Sequence, residues 1–285
     1  MPQTSPRRAV RVVVLSKPHP LTFHLLGRLA ERQVLAGVLF EDRFRSTGDR
    51  LRYLRRNARR EGWWHTASVL GFEVFDRLTR RSMLQDSVAR VLPPTLPLPD
   101  SVPIEVVRNL NSPEAIAHIR QWEPDLLVVH ATGILKATTY GLAGTAALNI
   151  HCGVLPEYRG HASTFHALSR GDTGNLGVTV HHVAPTVDTG RAIAVARVPF
   201  ESTDDETTIW CKAFAAGTDV VLRQVDRLAA GEPLDEEPYE GTFGPHYRRR
   251  ALGEHLLFSA ITLPRLRREA LAGRSASARP RDSSR

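Results

Sequence analysis

Two polar residues, Asn149 and His151, lie at the end of an apolar segment near the middle of the chain. The segment, AALNIH, is typical of a strand and is followed by the loop CGVLPEYRG. Because alternate side chains of a strand point the same way, Asn149 and His151 are predicted to share one face, opposite Leu148 and Ile150. Held together, an amide and an imidazole could stabilise a negatively charged oxygen, whereas isolated polar residues could merely satisfy local backbone groups.

The strand that carries these residues is one of several predicted along the chain. AVRVVVLS (9–16) predicts a buried strand, LTFHLLGRLAERQ (21–33) a helix and VLAGVLFED (34–42) a second strand. This order is typical of a doubly wound α/β unit. Further strands are predicted at 104–110, 125–133, 146–151, 176–183 and 192–200, and a long amphipathic helix at 203–233. We therefore expect an α/β, Rossmann-like, mostly parallel twisted sheet with helices on both faces.

An Arg-rich segment from residue 43 to residue 92 interrupts this pattern and is predicted to be a two-helix insertion. Trp63 and Trp64 are its largest apolar side chains. They are expected either to pack the insertion onto the core or to form a wall or lid over a ligand. The catalytic domain, with the insertion, is predicted to span residues 1–240.

The net charge of +8 is concentrated at the C-terminal end, where ten arginines follow His246 against only Glu254, Glu269 and Asp282. Residues 241–285 are accordingly predicted to be a short basic extension whose last part, AGRSASARPRDSSR, is disordered. Because such ends are usually solvated, nucleic acid is not an expected partner.

The remaining composition excludes other classes of protein. No apolar run reaches the roughly 18 residues of a membrane helix, and the N-terminal apolar run is too short for a secretory signal. Only two cysteines are present, Cys152 and Cys211, so no disulfide framework is expected. We therefore expect a cytoplasmic protein without a membrane partner.

Residues 125–199 combine several motifs in a fixed order: ATGILK, LNIHCGVLPEYRG, GDTGNLGVTVHHV and APTVDTG. This segment resembles the catalytic domain of the 10-formyltetrahydrofolate-dependent formyltransferases, which include methionyl-tRNA, glycinamide ribonucleotide and nucleotide-sugar N-formyltransferases. The family pattern is Asn-x-His on a strand, then Leu-Pro-x-Tyr-Arg-Gly, then Asp in a D-x-G turn. Here these are Asn149, His151, residues 155–160 and Asp188, and the resemblance implies the formyltransferase fold.

The resemblance also implies that Asn149, His151 and Asp188 are catalytic. The amide of Asn149 and a protonated His151 would stabilise the oxyanion formed when an amine attacks the formyl carbon, a donor being worth about 10²–10³ in rate. Asp188 would keep the imidazole protonated and relay the proton from the amine to the departing folate nitrogen. Taken singly, Asp188 before Thr189 and Gly190 would be only a turn residue.

N10-formyltetrahydrofolate is the co-substrate that the resemblance implies, held largely by backbone groups of two loops. The loop residues expected around the pterin are Gly133, Ile134, Leu135, Pro185, Thr186 and Val187. The loop expected beside the acceptor is Tyr158, Arg159 and Gly160. Arg159 would either order that loop by bonding backbone carbonyls or contact the substrate.

Two adjacent histidines, His181 and His182, face opposite sides of a strand, so at most one of them could line the cleft. Both are interpreted as structural residues or as residues that support the site side chains from behind. A metal site built from His151, His181 and Asp188 lacks convincing ligand spacing, and no metal is expected.

Departures from the family pattern narrow the acceptor. The first strand ends in SKPHPLT, without the glycine cluster of the glycinamide ribonucleotide enzymes or the G-x-G-x-x-G of an NAD-dependent oxidoreductase. At most 45 residues follow Glu240, fewer than the β-barrel of the methionyl-tRNA enzymes needs. The regulatory domain typical of formyltetrahydrofolate deformylases is also not found.

We therefore expect an N-formyltransferase acting on a small-molecule amine, first of all a nucleotide-linked amino sugar or another specialised metabolite. The alternatives are a methionyl-tRNA-type formyltransferase, a deformylase, and an inactive folate- or nucleotide-binding homologue. A homodimer is compatible with the resemblance, because dimers are common among the sugar-modifying relatives.

Overall fold

A seven-stranded sheet forms the centre of the computed structural model, which describes residues 9–42, 47–79, 81–239 and 241–277. The strands of these ranges are β1 (Val12–Ser16), β2 (Leu35–Glu41), β3 (Ile104–Val107), β4 (Leu126–Val129), β5 (Ala146–His151), β6 (Arg159–Gly160), β7 (Gly177–His182), β8 (Ala192–Arg197) and β9 (His246–Tyr247). The helices are α1 (Pro20–Glu31), α2 (Thr47–Glu61), α3 (Trp63–Thr79), α4 (Arg81–Val91), α5 (Pro113–Trp122), α6 (Ala137–Tyr140), α7 (Ser163–Ser169), α8 (Glu206–Ala229), α9 (Leu252–Leu257) and α10 (Leu263–Ser277).

The order of the sheet, β3-β2-β1-β4-β5-β7-β8, confirms the predicted α/β fold. β1 to β5 pair in parallel, whereas β7 runs antiparallel to β5 and β8 antiparallel to β7. The carboxyl ends of the parallel strands share one edge of the sheet, where ligand sites of such folds usually lie.

Both faces of the sheet are covered, which explains why β1 is buried at every position and apolar from Val12 to Leu15. One face packs against α1 and α8 in a cluster that includes Leu148 and Ile150 of β5. The opposite face packs against α5 in a second cluster that includes Ala147. Because side chains alternate along a strand, Asn149 and His151 lie on the α5 side, as predicted.

Capping residues set where several helices begin. The side chain of Ser112 accepts a hydrogen bond from the backbone N–H of Ala115, and Pro113 opens α5. At the start of α8, Asp205 accepts from the N–H of Thr208, whose hydroxyl accepts from the N–H of Asp205. This capping box fixes the long helix that supports β5 and β7.

Within its described residues the insertion is helical, as predicted, over α2, α3 and α4. Gly62 separates α2 from α3 with a φ of 87°, a conformation that ends a helix at low cost for glycine. Residue 80, between α3 and α4, and residues 43–46 are outside the described ranges, so the number of helices stays a prediction.

Trp63 and Trp64 do not pack the insertion onto the core, which corrects that expectation. They are 67% and 91% exposed at the start of α3. α3 instead meets the C-terminal segment through Phe72 and Phe75, whose rings lie 5.1 and 5.4 Å from that of His255.

The C-terminal segment packs against the rest of the chain as far as it is described. β9 pairs in parallel with β6, and Phe258 and Leu266 join Tyr158 and Phe165 in a third apolar cluster. Residues 272–277, expected to be disordered, continue α10, and residues 278–285 lie outside the described ranges.

Among the described helices, none combines the length and the apolar character that a membrane crossing requires.

Candidate active site

The end of β5 brings Asn149 and His151 to the edge of the sheet. Asn149 is half-buried, and His151 is buried with about a twelfth of its surface exposed, 8%. Both residues face away from Leu148 and Ile150, which are buried on the other side of the strand. The backbone of β5 is held on both sides, by β4 and by β7, so the two side chains project from a rigid support.

Asp188 reaches the same place from the loop between β7 and β8. Its φ of 53° lies in the left-handed region, which aspartate tolerates better than most residues. Its Oδ2 accepts a hydrogen bond of 2.8 Å from the N–H of Gly160 and lies 3.6 Å from Nδ1 of His151. Its Oδ1 lies 3.5 Å from Nδ2 of Asn149. The structure therefore brings the three residues together.

A fourth member of this cluster is His181, which was interpreted as structural or supporting. Its Nδ1 lies 2.8 Å from the carbonyl oxygen of His182, and because a carbonyl only accepts, this nitrogen donates. Its Nε2 is then an acceptor and lies 3.1 Å from Nδ2 of Asn149. His181 is 2% exposed, and its Nε2 is also 3.6 Å from Oδ1 of Asp188.

The position of His181 follows from the register of β7, where Asn149 stands directly opposite His181. A prediction that β7 runs antiparallel to β5 would have revealed it. His182, the next residue, does not belong to this cluster, because its side chain faces the other way.

His151 is oriented by the loop that follows β5. Its Nε2 lies 2.7 Å from the carbonyl oxygen of Tyr158 and 3.3 Å from Oγ of Ser163. The carbonyl requires a donor, so Nε2 carries a proton and Nδ1 faces the carboxylate of Asp188. Neither the Tyr158 carbonyl nor Ser163 was identified from the sequence as a partner of His151.

The electrostatics of His151 and Asp188 differ from the expectation in one respect, the direction in which the pKa of His151 is shifted. Burial raises the pKa of Asp188, but the opposing effects of His151, His181 and the N–H of Gly160 hold that pKa below its ordinary value. Burial lowers the pKa of His151, and Asp188 and the Tyr158 carbonyl offset this only in part. The pKa of His151 is therefore lowered on balance, whereas Asp188 was expected to raise it and keep the imidazole protonated.

Of the two loops predicted to hold the folate, one follows β4 and runs along the carboxyl edge of the sheet. The N–H of Gly133 donates to Glu41 at 3.2 Å, and the carbonyl of Ile134 accepts from Asn111 at 3.0 Å. Ile134 is 67% exposed, whereas the side chain of Leu135 is buried in the cluster on the α5 side.

The other predicted folate loop includes Pro185, Thr186 and Val187, directly before Asp188. Pro185 and Thr186 are exposed and Val187 is half-buried. The carbonyl of Thr186 accepts from the hydroxyl of Thr189 at 3.0 Å, which closes the turn that carries Asp188. Val183, at the start of this loop, packs against the same cluster as Leu135. The two loops thus rest on one apolar cluster.

The predicted acceptor loop lies beside the triad through its main chain. Tyr158 supplies its carbonyl to His151 and Gly160 its N–H to Asp188, while the Tyr158 ring is buried. Within the described residues, the Arg159 side chain makes no hydrogen bond to a backbone carbonyl, and its enclosed Nε has no partner. The ordering role considered for Arg159 is therefore not supported.

Among the described residues, no group of three or more histidine, cysteine, aspartate or glutamate side chains is arranged to hold a metal ion.

A model of the formyl transferase family matches residues 90–225. Among curated proteins, the methionyl-tRNA formyltransferase of Geobacillus thermodenitrificans is 31% identical over 156 residues, 52% of this chain and 47% of that protein. The chain thus spans about half the length of the curated relatives it matches.

Two solved structures have a similar fold. A sugar N-formyltransferase from Shewanella sp. FDAARGOS_354 gives a TM-score of 0.52 at 14% identity, over 84% of this chain and 77% of that one. HypX from Aquifex aeolicus, solved in complex with tetrahydrofolic acid, gives a TM-score of 0.53 at 14% identity, over 96% of this chain and 35% of that one. At these identities the likeness concerns the fold alone.

Proposed function

Because a model of the formyl transferase family matches residues 90–225, we propose that the protein is an N-formyltransferase. It would move the formyl group of N10-formyltetrahydrofolate to the primary amine of a small-molecule acceptor. The observation that supports this most is that Asn149, His151 and Asp188 meet at the edge of the sheet. The carboxylate of Asp188 lies 3.5 Å from Nδ2 of Asn149 and 3.6 Å from Nδ1 of His151.

The proposed reaction needs one bond made, one bond broken and one proton moved. The amine nitrogen bonds to the formyl carbon, and the carbon's bond to the folate nitrogen breaks with its electron pair going to that nitrogen. One proton passes from the amine to the same folate nitrogen. The products are a formamide and tetrahydrofolate, so no oxidant, reductant or metal ion is required.

His151 is suited to carry that proton. In its neutral form Nε2–H donates to Tyr158, so the proton-accepting atom is Nδ1, which faces Asp188. Proton uptake at Nδ1 turns an unfavourable contact between a lone pair and a carboxylate into an ion pair. Asp188, whose pKa is lowered, stays ionised and is itself a poor base. His151 would take the proton from the amine and return it to the leaving nitrogen.

Asn149 is suited to stabilise the oxyanion. One of its N–H bonds is directed at His181, at 3.1 Å, and the other makes only the long contact of 3.5 Å with Asp188. The second N–H can turn to a developing negative oxygen at little cost. Such a donor lowers the barrier more than it strengthens ground-state binding.

The two loops beside the triad fit a flat heterocycle such as the pterin. Ile134 presents an exposed apolar side chain on one loop, and Pro185 and Thr186 are exposed on the other. Apolar contact combined with main-chain polar groups is typical of small-molecule sites. The residues proposed to hold the folate are therefore Gly133, Ile134, Leu135, Pro185, Thr186 and Val187, with Leu135 acting only through its backbone.

We place a nucleotide-linked amino sugar first among acceptors. Methionyl-tRNA is the second candidate, because the matched curated relatives are methionyl-tRNA formyltransferases. The two free cysteines are compatible with the proposed cytoplasmic location. A homodimer stays a prediction.

The proposal is tested by incubating the chain with 10-formyltetrahydrofolate and a panel of amines. The panel holds nucleotide-linked amino sugars, other amino metabolites, methionyl-tRNA, and a reaction without acceptor. Release of tetrahydrofolate is followed together with the mass of each acceptor. We expect a small amine to gain a formyl group, with His151→Ala as the inactive control.

The other outcomes of this assay each indicate a different function. Tetrahydrofolate released equally without an acceptor would show a deformylase. Formylation of methionyl-tRNA alone would transfer the proposal to the tRNA class. Folate binding without turnover on any amine would indicate a binding protein and overturn the proposal.

A further inference from the structure

The short ribbon of β6 and β9 has two chemically different faces. Arg159 stands opposite His246 and Gly160 opposite Tyr247, and the N–H of His161 extends the pairing to the carbonyl of Tyr247 at 2.9 Å. One face carries Tyr158 and Tyr247, whose rings stack at 5.5 Å against the third apolar cluster. The opposite face, here called the basic face, carries Arg159, His161 and His246.

The basic face is compact. The rings of His161 and His246 lie edge to face with their centres 6.3 Å apart. A Cβ on Gly160 would come within 3.1 Å of the His246 ring, so that ring rests directly on the Gly160 backbone. His246 is exposed and Arg159 is half-buried.

Arg159 differs from the arginines around it. In the described part of the chain Arg191 pairs with Glu236 at 2.8 Å, Arg249 with Glu73 at 2.7 Å, and Arg250 with Glu206. No such carboxylate partner of Arg159 is found among the described residues, and its guanidinium lies only against the Phe243 ring, at 5.9 Å. Its Nε is enclosed without a hydrogen-bond partner there, which is costly unless a ligand satisfies it.

The basic face adjoins the catalytic loop. The N–H of Gly160 donates to Asp188, so the backbone between Arg159 and His161 is tied to the triad. From Arg159 the contacts continue through Phe243 to Tyr239, at 5.1 Å between ring centres. The Tyr239 hydroxyl donates to the carbonyl of Gly190, at 2.6 Å, two residues after Asp188.

The local field is positive. The side chain of His161 is exposed, and its pKa is lowered, first by desolvation of the ring and then by the neighbouring charges of Arg249 and His246. Asp188 and Glu61 are the carboxylates that oppose this effect. The carboxylate of Asp188 already accepts a hydrogen bond from Gly160, and Arg249 is paired with Glu73. The basic face therefore retains a preference for an anion.

We propose that Arg159, His161 and His246 form an anion subsite that binds a phosphate or carboxylate group of the acceptor. The inference rests on the proposed function and deepens it, since it assigns a negatively charged amine as the substrate. Arg159 would supply a forked pair of N–H donors, and the imidazoles would donate further hydrogen bonds. His246 lies outside the segment matched by the family, residues 90–225, so the C-terminal segment would complete the acceptor site.

The test measures binding by the full chain rather than turnover. Inorganic pyrophosphate and, separately, tetrahydrofolate are titrated into the protein by calorimetry. We expect pyrophosphate to bind, and Arg159→Gln and His246→Gln each to weaken it by about tenfold or more, as loss of a charged hydrogen bond implies. Arg159→Lys should recover part of the affinity. Arg32→Gln, on α1 and paired with Asp226, is the control and should change nothing.

Protonation supplies an independent readout. The affinity for sulfate, whose charge does not change between about pH 8 and about pH 5.5, should rise as the pH falls across this range, because the bound anion favours the protonated imidazoles. The titratable and charged groups that face His161 are His246, Arg249, Asp188 and Glu61. The His246→Gln variant should show a weaker pH dependence than the unmodified chain.

Pyrophosphate that fails to bind, or that binds all variants equally, would overturn the proposal. So would a loss of tetrahydrofolate affinity in Arg159→Gln, because the face would then hold carboxylates of the co-substrate. Failure of the acceptor panel together with intact pyrophosphate binding would instead count against the proposed function, leaving the anion site in place.

Discussion

At the scale of single residues, the site depends on which ring nitrogen of His151 and of His181 donates a hydrogen bond. Nε2–H of His151 is bound by the Tyr158 carbonyl, and Nδ1 of His181 is bound by the His182 carbonyl. These two backbone contacts leave Nδ1 of His151 and Nε2 of His181 as acceptors beside Asp188 and Asn149. The cluster is consequently arranged to receive a proton rather than to hold one at rest.

The His151→Ala and Asp188→Ala variants should each lower kcat by at least about 100-fold with the fold intact. The first removes the proton carrier and the second removes the charge that stabilises it. Tetrahydrofolate release measures kcat, and circular dichroism checks that the fold is intact. His182→Gln is the matched control, because its side chain faces away from the cluster, and near-normal turnover of either alanine variant would refute the assigned role.

His181→Ala should lower kcat by about tenfold with little change in KM, because Asn149 loses the acceptor that orients its amide. It should also lower the free energy of unfolding by about 1–3 kcal/mol, since a buried polar partner is lost. His181→Gln restores an acceptor oxygen and should recover part of kcat. Equal kcat in the two variants would show that His181 acts only in packing.

At the scale of secondary-structure elements, the cluster of Asn149, His151, His181 and Asp188 is assembled from three separate supports. β5 carries Asn149 and His151, β7 carries His181, and β6 binds Asp188 through Gly160. β6 is only two residues long and is held by β9 from the far end of the chain. The position of Asp188 therefore depends on the C-terminal segment that carries β9, which contributes none of the three predicted catalytic residues.

Gly160→Ala tests this dependence. Gly160 has a φ of 98°, and an added Cβ would lie 2.5 Å from the carbonyl oxygen of Tyr247. We expect the ribbon to separate, with a loss of about 1–3 kcal/mol in the free energy of unfolding and a large loss of kcat. Chemical denaturation and tetrahydrofolate release provide the measurements.

The control for this prediction is Gly174→Ala, because an added Cβ there meets nothing within 4 Å. That variant should match the unmodified chain in both assays. Unchanged stability and kcat in Gly160→Ala would show that β9 does not support the site.

At the scale of the whole molecule, burial of neutral histidines makes folding sensitive to acid. Burial lowers the pKa of His130 to about 3 and that of His19 to about 4. His130 is 4% exposed and packs against Phe214, with 4.5 Å between ring centres. Its Nδ1 lies 3.3 Å from the Thr22 hydroxyl. The folded chain has to keep these rings uncharged, whereas the unfolded chain does not.

The free energy of unfolding should consequently decrease as the pH falls below about 6.5, where the unfolded state binds protons that the folded state does not. For His130 the slope should approach about 1.4 kcal/mol per pH unit down to about pH 3. Denaturant unfolding measured at a series of pH values provides the test. The slope should be smaller in His130→Gln, and a pH-independent free energy between about pH 7 and about pH 4 would contradict the prediction.

The sequence by itself determined much of this protein, because the signals concerned are local. Alternation along AALNIH placed Asn149 and His151 on one face, and the β-branched runs and helix caps predicted most elements of the sheet and its helices. The resemblance to the formyltransferases, rather than a local signal, indicated Asp188 as their partner.

Only the tertiary structure decided the partners that join distant parts of the chain. His181 meets Asn149 through an antiparallel register, and His246 meets Arg159 through a strand pair. The exposure of Trp63 and Trp64 and the lowered pKa of His151 likewise depend on what surrounds each side chain. Burial and pairing are set by the packing of remote segments, and no local pattern of residues specifies them.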